Sequence, residues 1–395
     1  MGTDRTRMMS GAPPFPADAR VTLANWQDPP FNRWSFQHVR ELIPTARIPR
    51  GTTVSELPRA ERELLDLEFV SAGRSLRIAD MLAETYTDAF AVLHRGKLIA
   101  EHYRNGMAAD TPHLLMSVSK SVTAAVAGIL AGTGRLDPTA PVTDVVPELR
   151  GTSFDGATVQ HLLDMRAGTR FDENYDNLDA DVRTYERVYL WRPDDGPRPA
   201  DALAYFATLH NDGEHGGPFR YRSILTDVLS WVLEKASGTR FADLVSGELW
   251  QPMGAEFDAE ITVDAHGNPM ADGGINTTLR DLLRFGALYL PSSTPPLVPQ
   301  EWIDDTVRGA DDGPAAFVAA DPPPGFPPGA HYRNCWWVYD PELPLLMASG
   351  IYGQNVLMHG PAELVVAKFS TWPSPLSQPL RQLTVDAVMA LAAAL

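Results

Sequence analysis

Short apolar runs lie near both ends of the chain, and apolar residues at helical spacing lie between them. From Ala89 to Tyr103 two such runs flank Arg95-Gly96-Lys97, a pattern that predicts a β-hairpin. Three more strand-like runs follow residue 334, with the sequences CWWVY, NVLMH and ELVVAKF, and a C-terminal helix comes after them. Because strands occur at both ends, we expect them to join in one antiparallel sheet.

The middle of the chain is predicted to be helical. Apolar residues from Val122 to Leu130 recur at helix spacing and predict a helix over Leu114–Leu136. This helix is rich in Ala and Gly, which let neighbouring backbone approach closely, so we expect it to be central and buried. Shorter helices are predicted at His161–Met165, Ala202–Leu209, Leu225–Ala236, Phe241–Trp250 and Leu279–Leu290.

The order of these elements predicts an α/β (α+β) fold, in which an antiparallel sheet is flanked by helices and an all-helical lobe is inserted. Residues 1–140 and 271–395 would form the α/β domain, and residues 141–270 the inserted helical domain. The first 75 residues are rich in Pro, Arg and Trp and have no sustained period. They are expected to wrap over the core and not to form a separate domain.

Composition excludes several classes of protein. Apolar residues make up 44% and charged residues 21%, as in an ordinary folded domain. Acidic side chains outnumber basic ones by 50 to 33, so the surface repels nucleic acid and anionic lipid. The longest apolar run, Val122 to Gly132, is too short to span a membrane, and the start has no apolar signal-peptide core. With one cysteine, Cys335, no internal disulfide can form, and we expect a cytoplasmic protein.

Ser117-Val118-Ser119-Lys120 places a serine and a lysine three residues apart at the head of the predicted central helix. Both side chains would face one side, a single turn apart. A serine hydroxyl becomes a nucleophile when a neighbour takes its proton, and a lysine can take it only if burial or nearby charge lowers its pKa. The helix N-terminus would direct backbone N–H groups toward an oxyanion. The alternative is a helix-capping serine followed by a solvated lysine.

With these residues the chain resembles the β-lactamase-like, penicillin-recognising serine hydrolases. That family carries S-x-x-K, then Tyr-x-Asn or Tyr-x-Ser further along, and a third motif on a late strand. Tyr221-Arg222-Ser223 resembles the second motif and leads into a predicted helix. Tyr103-Arg104-Asn105 and Tyr332-Arg333-Asn334 match Tyr-x-Asn more literally, but the first precedes Ser117 and neither leads into such a helix.

The third motif departs from the β-lactamase pattern. Ala348-Ser349-Gly350 occupies the place of Lys-Thr-Gly, so the cation that helps to hold a β-lactam carboxylate is missing. Efficient β-lactam hydrolysis is therefore not expected. By position, the resemblance implies that the Ile351 N–H joins the Ser117 N–H in an oxyanion hole. Tyr352, the next residue, is a candidate substrate contact.

Several stretches, among them residues 26–30 with the sequence WQDPP, resemble the branch of this family that hydrolyses linear oligomers of 6-aminohexanoate. In that branch a tyrosine contacts the scissile amide nitrogen and a carboxylate holds the ammonium end of the substrate. Tyr175 and Glu186 fall at the matching positions, with Trp191 in the same loop. Asp272 falls where the branch has an amide side chain, which affects the expected choice of substrate more than the chemistry.

The resemblance implies an acyl-enzyme mechanism. Ser117, deprotonated through Lys120 and Tyr221 as one coupled unit, would attack an amide carbonyl, and Tyr221 would then protonate the leaving amine. The expected activity is hydrolysis of linear amides such as the 6-aminohexanoate dimer, with side activity on carboxylic esters. A carboxylesterase or D-aminopeptidase of the same fold is the alternative, and a non-catalytic binding module is a second one.

No cofactor or metal ion is expected, and the predicted partner is a small amide or ester. His210 and His215, with Asp212 and Glu214 between them, are the one conceivable metal site, but their neighbouring glycines favour a flexible loop. Motifs of zinc proteases, P-loop enzymes and α/β-hydrolases do not occur. The resemblance makes a homodimer the expected assembly.

Overall fold

The computed structural model of the chain describes residues 8–293, 296–320, 325–342 and 344–395. Within these residues the strands are β1 Thr45–Ile48, β2 Glu68–Ser71, β3 Arg74–Arg77, β4 Thr87–His94, β5 Lys97–Tyr103, β6 His113–Leu114, β7 Ala259–Thr262, β8 Ile275–Thr277, β9 His331–Arg333, β10 Trp336–Asp340, β11 Leu345–Gly350, β12 Gln354–His359 and β13 Leu364–Ser370. The α-helices of the same residues are α1 Asn32–Ser35, α2 Ile78–Glu84, α3 Val118–Gly132, α4 Val142–Val145, α5 Val159–Leu163, α6 Asp181–Val188, α7 Ala202–Phe206, α8 Ile224–Ser237, α9 Phe241–Val245, α10 Leu279–Ala287, α11 Gln300–Arg308, α12 Gly313–Val318 and α13 Gln378–Ala394.

Strands from the two ends of the chain form one antiparallel sheet, in the order β5-β4-β13-β12-β11-β10-β9. β4 and β5 are the hairpin predicted around Arg95-Gly96-Lys97. β13 pairs with β4, where Lys368 lies opposite Phe90, and so connects the C-terminal strands to the N-terminal hairpin. The prediction that both ends of the chain close into one sheet is confirmed, and so is the α+β class.

Helices cover both faces of this sheet, since β4 and β13 are buried along their whole length. α3 and α10 pack on one face. Gly286 of α10 lies so close to the sheet that a Cβ there would be 2.5 Å from Val365 Cγ1. α2 and α13 pack on the other face, where Leu383 and Val388 share an apolar cluster with Val366. No helix of the described ranges is long and apolar enough to cross a bilayer.

A second antiparallel sheet, in the order β1-β7-β8-β6, is absent from the sequence prediction. It ties the N-terminal segment, through β1, to the residues directly before Ser117, through β6. β7 lies inside the segment predicted to be all-helical, so that description is wrong for Ala259–Thr262. Strands of two to four residues are too short to display a hydrophobic period. The domain boundaries at residues 140 and 271 stay a prediction.

The central helix α3 is buried from Val118 to Leu130, as its small residues predicted. It begins at Val118 and not at Leu114, because Leu114 belongs to β6. Between them Met116 has a φ of 48°, in the left-handed region that non-glycine residues rarely adopt. The chain thus passes from strand to helix through a tight turn that ends at Ser117.

Candidate active site

Ser117 is the residue immediately before α3, and its side chain makes no helix-capping hydrogen bond. Lys120, one turn into the helix, donates a hydrogen bond of 2.8 Å from Nζ to Ser117 Oγ. Lys120 is fully buried. The alternative interpretation, a capping serine followed by a solvated lysine, is therefore wrong.

Lys120 Nζ has two further neighbours. It donates a hydrogen bond of 2.8 Å to the backbone oxygen of Asp272, and it lies 3.5 Å from Asp272 Oδ2. It also lies 5.2 Å from the centre of the Tyr221 ring. Tyr221 comes from the loop before α8, so the side chains of three separate segments meet around the Ser117 hydroxyl.

The protonation of this cluster differs from the sequence-based expectation. Burial acts to lower the pKa of Lys120, but the negative charges of Tyr221, Asp272 and Glu173 together outweigh it and raise that pKa. The pKa of Tyr221 is raised by its burial, against the opposing charge of Lys120. The direction of the Lys120 pKa shift is thus opposite to the one that a lysine base requires. The two groups titrate as a coupled pair, which must lose one proton before it can accept that of Ser117.

The end of β11 lies directly against the Ser117 backbone. An added Cβ on Gly350 would be 3.0 Å from Ser117 N and 2.6 Å from Leu115 O, so only glycine fits this approach. The chain then turns through Ile351 and Tyr352, the latter with a φ of 61°. Gly350, the residue before Ile351, thus brings the strand end against the Ser117 backbone, as an oxyanion hole made of two backbone N–H groups requires.

A cavity of about 540 Å³ opens above the nucleophile. Ser117, Tyr175, Tyr221 and Ile351 all line it, so four of the sequence-predicted site residues meet at one place. Apolar and aromatic side chains supply much of the remaining wall, among them Phe219, Trp337, Met347, Trp372 and Leu376. Its volume and apolar lining are typical of a site for a small organic molecule.

Glu186 is not free to bind a substrate cation in this structure. Its Oε2 accepts a hydrogen bond of 2.8 Å from Arg183 Nη1 and another from Arg192 Nε. The Glu186 side chain is 4% exposed, and the Arg183 guanidinium also lies over the ring of Tyr175, 5.7 Å from its centre. Two arginines therefore compete with any ammonium for this carboxylate, and its predicted role stays a prediction.

Trp191, Asp272 and Tyr352 are not among the residues that line the cavity. Trp191 is buried, and its Nε1 donates to Thr262 Oγ1 at 3.2 Å. Tyr352 packs edge-on against Phe36, with ring centres 5.3 Å apart. Trp191 and Tyr352 are therefore engaged in contacts with residues outside the cavity lining. Asp272 is turned toward Lys120 instead.

Glu173 lines the cavity and was not predicted from the sequence. Its carboxylate accepts hydrogen bonds from the Tyr175 hydroxyl at 2.7 Å and from the Ser223 backbone N–H at 2.6 Å. It thus fastens the Tyr175 loop to the segment that carries Tyr221. Burial raises the pKa of Glu173, opposed by the positive charge of Lys120. In the sequence it stands in an acidic loop, and nothing local marks it as buried.

The two literal Tyr-x-Asn matches lie elsewhere. The Tyr103 hydroxyl donates to Glu101 Oε1 at 2.6 Å. Tyr332 packs edge-on against the ring of Tyr221, with centres 6.0 Å apart, and lines no part of the cavity. Tyr221 is therefore the tyrosine of the three that reaches the Ser117–Lys120 pair.

His215, one of the two histidines considered as a metal site, is engaged in local contacts. His215 Nδ1 accepts a hydrogen bond of 3.0 Å from the Gly168 N–H, and its ring stacks with that of His161. Asp212 lies 3.3 Å from Arg222 Nη2. Among the residues that the structure describes, no group of three or more His, Cys, Asp or Glu side chains is placed to hold a metal ion.

A serine and a lysine joined across one helical turn, a tyrosine from a second segment and a strand end beside the nucleophile define a serine hydrolase of the β-lactamase-like fold. The chain belongs to the β-lactamase family, whose model matches residues 77–389. It is 38% identical over 371 residues to the 6-aminohexanoate-dimer hydrolase of Paenarthrobacter ureafaciens, an alignment that covers 92% of this chain and 91% of that protein.

Two further comparisons agree with this family. A solved protein of Bacillus anthracis, assigned as a 6-aminohexanoate-dimer hydrolase, superposes with a TM-score of 0.87 at 25% identity, covering 96% of this chain and 98% of that one. Esterase EstB of Burkholderia gladioli is 29% identical over 200 residues, 48% of this chain and 49% of the esterase. The predicted family and its fold are confirmed.

Proposed function

We propose that this chain hydrolyses linear amides through an acyl-enzyme on Ser117. The observation that carries the proposal is the 2.8 Å hydrogen bond from Lys120 Nζ, on a fully buried lysine, to Oγ of Ser117, which lines the cavity. A buried lysine that contacts a serine hydroxyl on the cavity wall has a direct route for taking the serine proton. No cofactor or metal takes part in the proposed reaction.

The first half-reaction transfers the acyl group to the enzyme. Once the Lys120–Tyr221 pair has lost a proton to solvent, it accepts the proton of Ser117 Oγ as that oxygen bonds to the amide carbonyl carbon. The oxyanion is held by the N–H groups of Ser117 and Ile351. When the tetrahedral intermediate collapses, the C–N bond breaks, and Tyr221 gives its proton to the leaving amine nitrogen.

The second half-reaction reverses the proton path. A water molecule gives a proton to the Lys120–Tyr221 pair as its oxygen bonds to the acyl carbon. The bond between that carbon and Ser117 Oγ then breaks, and the pair returns a proton to Oγ. The carboxylic acid leaves, and the pair is again in the singly deprotonated form in which it first accepted the proton of Ser117.

The proposed substrate is a linear amide of the 6-aminohexanoate-dimer type, with side activity on carboxylic esters. The extent of the similarity to the Paenarthrobacter hydrolase supports the amide. The shorter similarity to an esterase supports the ester activity and makes a carboxylesterase the second candidate. In either case Tyr175, which lines the cavity, is the proposed contact for the leaving group, with Trp191 and Tyr352 supporting the pocket.

The direct test is Ser117→Ala. This variant should lose turnover and labelling by a fluorophosphonate, while Ser119→Ala, two residues along the same helix, should retain labelling. Continued labelling of Ser117→Ala would contradict the nucleophile. A panel of linear 6-aminohexanoate dimer, short-chain nitrophenyl esters, D-amino-acid amides and a chromogenic cephalosporin then ranks the candidate substrates.

The proposed ammonium contact of Glu186 needs its own test, because two arginines already bind it. If Glu186 holds the substrate's ammonium, Glu186→Gln should raise KM for amine-bearing amides much more than KM for neutral esters of equal length. An equal effect on both substrates would show that Glu186 acts only through Arg183 and Arg192. Thermal unfolding of the variant separates loss of binding from loss of fold.

We also propose a homodimer in the cytoplasm. The family resemblance supports the dimer, and the single cysteine, Cys335, which is buried and without a disulfide partner, supports a reducing compartment. Light scattering coupled to size-exclusion chromatography tests the assembly, and a monomeric mass would contradict it. Cell fractionation tests the location.

A further inference from the structure

Asp272 is the carboxylate closest to the catalytic ammonium. Its Oδ2 lies 3.5 Å from Lys120 Nζ, and its backbone oxygen accepts a hydrogen bond of 2.8 Å from the same nitrogen. Among the described residues this is the one ion pair that Lys120 makes. The side chains are 8% and 1% exposed, so little water screens the attraction between them.

The position of Asp272 is fixed by its backbone. Its N–H donates a hydrogen bond of 3.0 Å to Asp227 Oδ1 in α8. Its own Oδ1 is buried and has no hydrogen-bond partner among the described residues. A buried carboxylate oxygen left without a donor is costly unless a nearby positive charge compensates for it, and Lys120 is the cation within reach.

The other acidic groups that face Lys120 are engaged elsewhere. Glu173 accepts hydrogen bonds from Tyr175 and Ser223. Asp227 accepts a hydrogen bond of 2.6 Å from the Tyr185 hydroxyl, and burial together with the nearby Asp272 carboxylate raises its pKa. The Tyr221 phenol and the buried Cys335 thiol are the remaining titratable groups near Lys120.

We infer that Asp272 is a positioning residue whose negative charge holds the proton on Lys120 and thereby sets the pH at which the Lys120–Tyr221 pair becomes a base. This role replaces the substrate contact expected for Asp272 from the sequence, and it rests on the proposed function of the pair. It follows that removal of this charge extends activity toward lower pH, because an ammonium without its counter-ion releases its proton more readily.

The test is the pH dependence of kcat/KM for a neutral nitrophenyl ester with Asp272→Asn, which removes the charge and keeps the shape. The midpoint of the rise in activity with pH should move down by about 1–3 units, the effect of one nearby opposite charge. Asp272→Glu should leave the midpoint close to that of the wild type. Asp264→Asn is the matched control, since Asp264 is a buried carboxylate in the same stretch of chain without a contact to Lys120.

A purely structural role would lower kcat/KM by the same factor at every pH and leave the midpoint in place, and that result would overturn the inference. If Asp272→Asn does not fold, Asp272→Ser removes the same charge with a smaller side chain. Failure of both neutral variants to fold while Asp272→Glu folds would also make the role structural. Fluorophosphonate labelling of Ser117 in each variant distinguishes these outcomes from a failure of the proposed mechanism itself.

Discussion

Gly350 is the point of β11 closest to the nucleophile, so one added methyl group there tests the oxyanion geometry. In Gly350→Ala the new Cβ would lie 2.6 Å from Leu115 O and 3.0 Å from Ser117 N. Ordinary contacts begin at 3.4 Å, so the strand end must move away by about 0.8 Å. The third obstructing atom is Met116 Cβ at 2.9 Å, and neither a Cβ nor a backbone atom can rotate out of the way as the end of a flexible side chain could.

A displacement of this size is large for a hydrogen bond to an oxyanion, in which the donor nitrogen lies about 2.7–3.1 Å from the oxyanion oxygen. It would take the Ile351 N–H out of range of an oxygen bound at Ser117. Loss of one such donor lowers kcat about 10²–10³-fold, which corresponds to about 2.7–4 kcal/mol. Because the contact strengthens only as the oxyanion forms, KM should change little.

The assay is steady-state hydrolysis of a nitrophenyl ester, with the rate of fluorophosphonate labelling as a second measure. Gly247→Ala is the control, since a Cβ at Gly247 would meet no atom within 4 Å. Thermal unfolding of both variants tests whether they remain folded. A folded Gly350→Ala protein with kcat near that of the wild type would refute the oxyanion role of Ile351.

Two other predictions concern single side chains. Tyr221→Phe should lower kcat for an amide about 10²–10⁴-fold, but less for a nitrophenyl ester, whose leaving group needs no proton; equal losses would contradict the leaving-group role. Burial lowers the pKa of Lys368 to about 7. Between about pH 7 and the ordinary lysine pKa, the folded state binds fewer protons than the unfolded state, so the stability of the wild type rises with pH in this range. Below about pH 7 Lys368 is charged in both states, and the full cost of burying the cation is present. Lys368→Met should therefore raise Tm more at pH 6 than at pH 9 in calorimetry, and a gain independent of pH would contradict this.

Features that depend on neighbouring residues could be predicted from the sequence. The hairpin of β4 and β5 follows from two apolar runs around Arg95-Gly96-Lys97, and α8 follows from helical spacing after Tyr221. The contact between Ser117 and Lys120 follows from their separation by one helical turn. In each case the interaction is fixed by local backbone geometry, to which sequence spacing corresponds directly.

Features that depend on distant contacts could not be predicted. The hydrogen bond from Lys120 to Asp272 joins residues 152 positions apart. Glu173 was missed because its burial arises from packing between two loops and not from its own neighbours. Of the arginine partners of Glu186, Arg183 lies one helical turn away within α6, whereas Arg192 follows the helix and reaches Glu186 through the loop after it. The raised pKa of Lys120 has the same origin, since its causes lie on separate segments.

The third motif, at the end of β11, lies against the nucleophile through its backbone although it lacks the lysine side chain of the β-lactamase motif. Ala348 is buried and absent from the cavity lining, whereas Ser349 and Gly350 both reach the cavity. The strand end therefore supplies close backbone approach and a neutral surface, with Met347 adding an apolar contact. Such a wall favours a methylene chain, each buried CH₂ of which contributes about 0.8 kcal/mol. A few methylenes can thus provide binding energy comparable to that of an ionic contact, while the cations of the cavity lining, Arg220 and Arg381, come from segments other than the third motif.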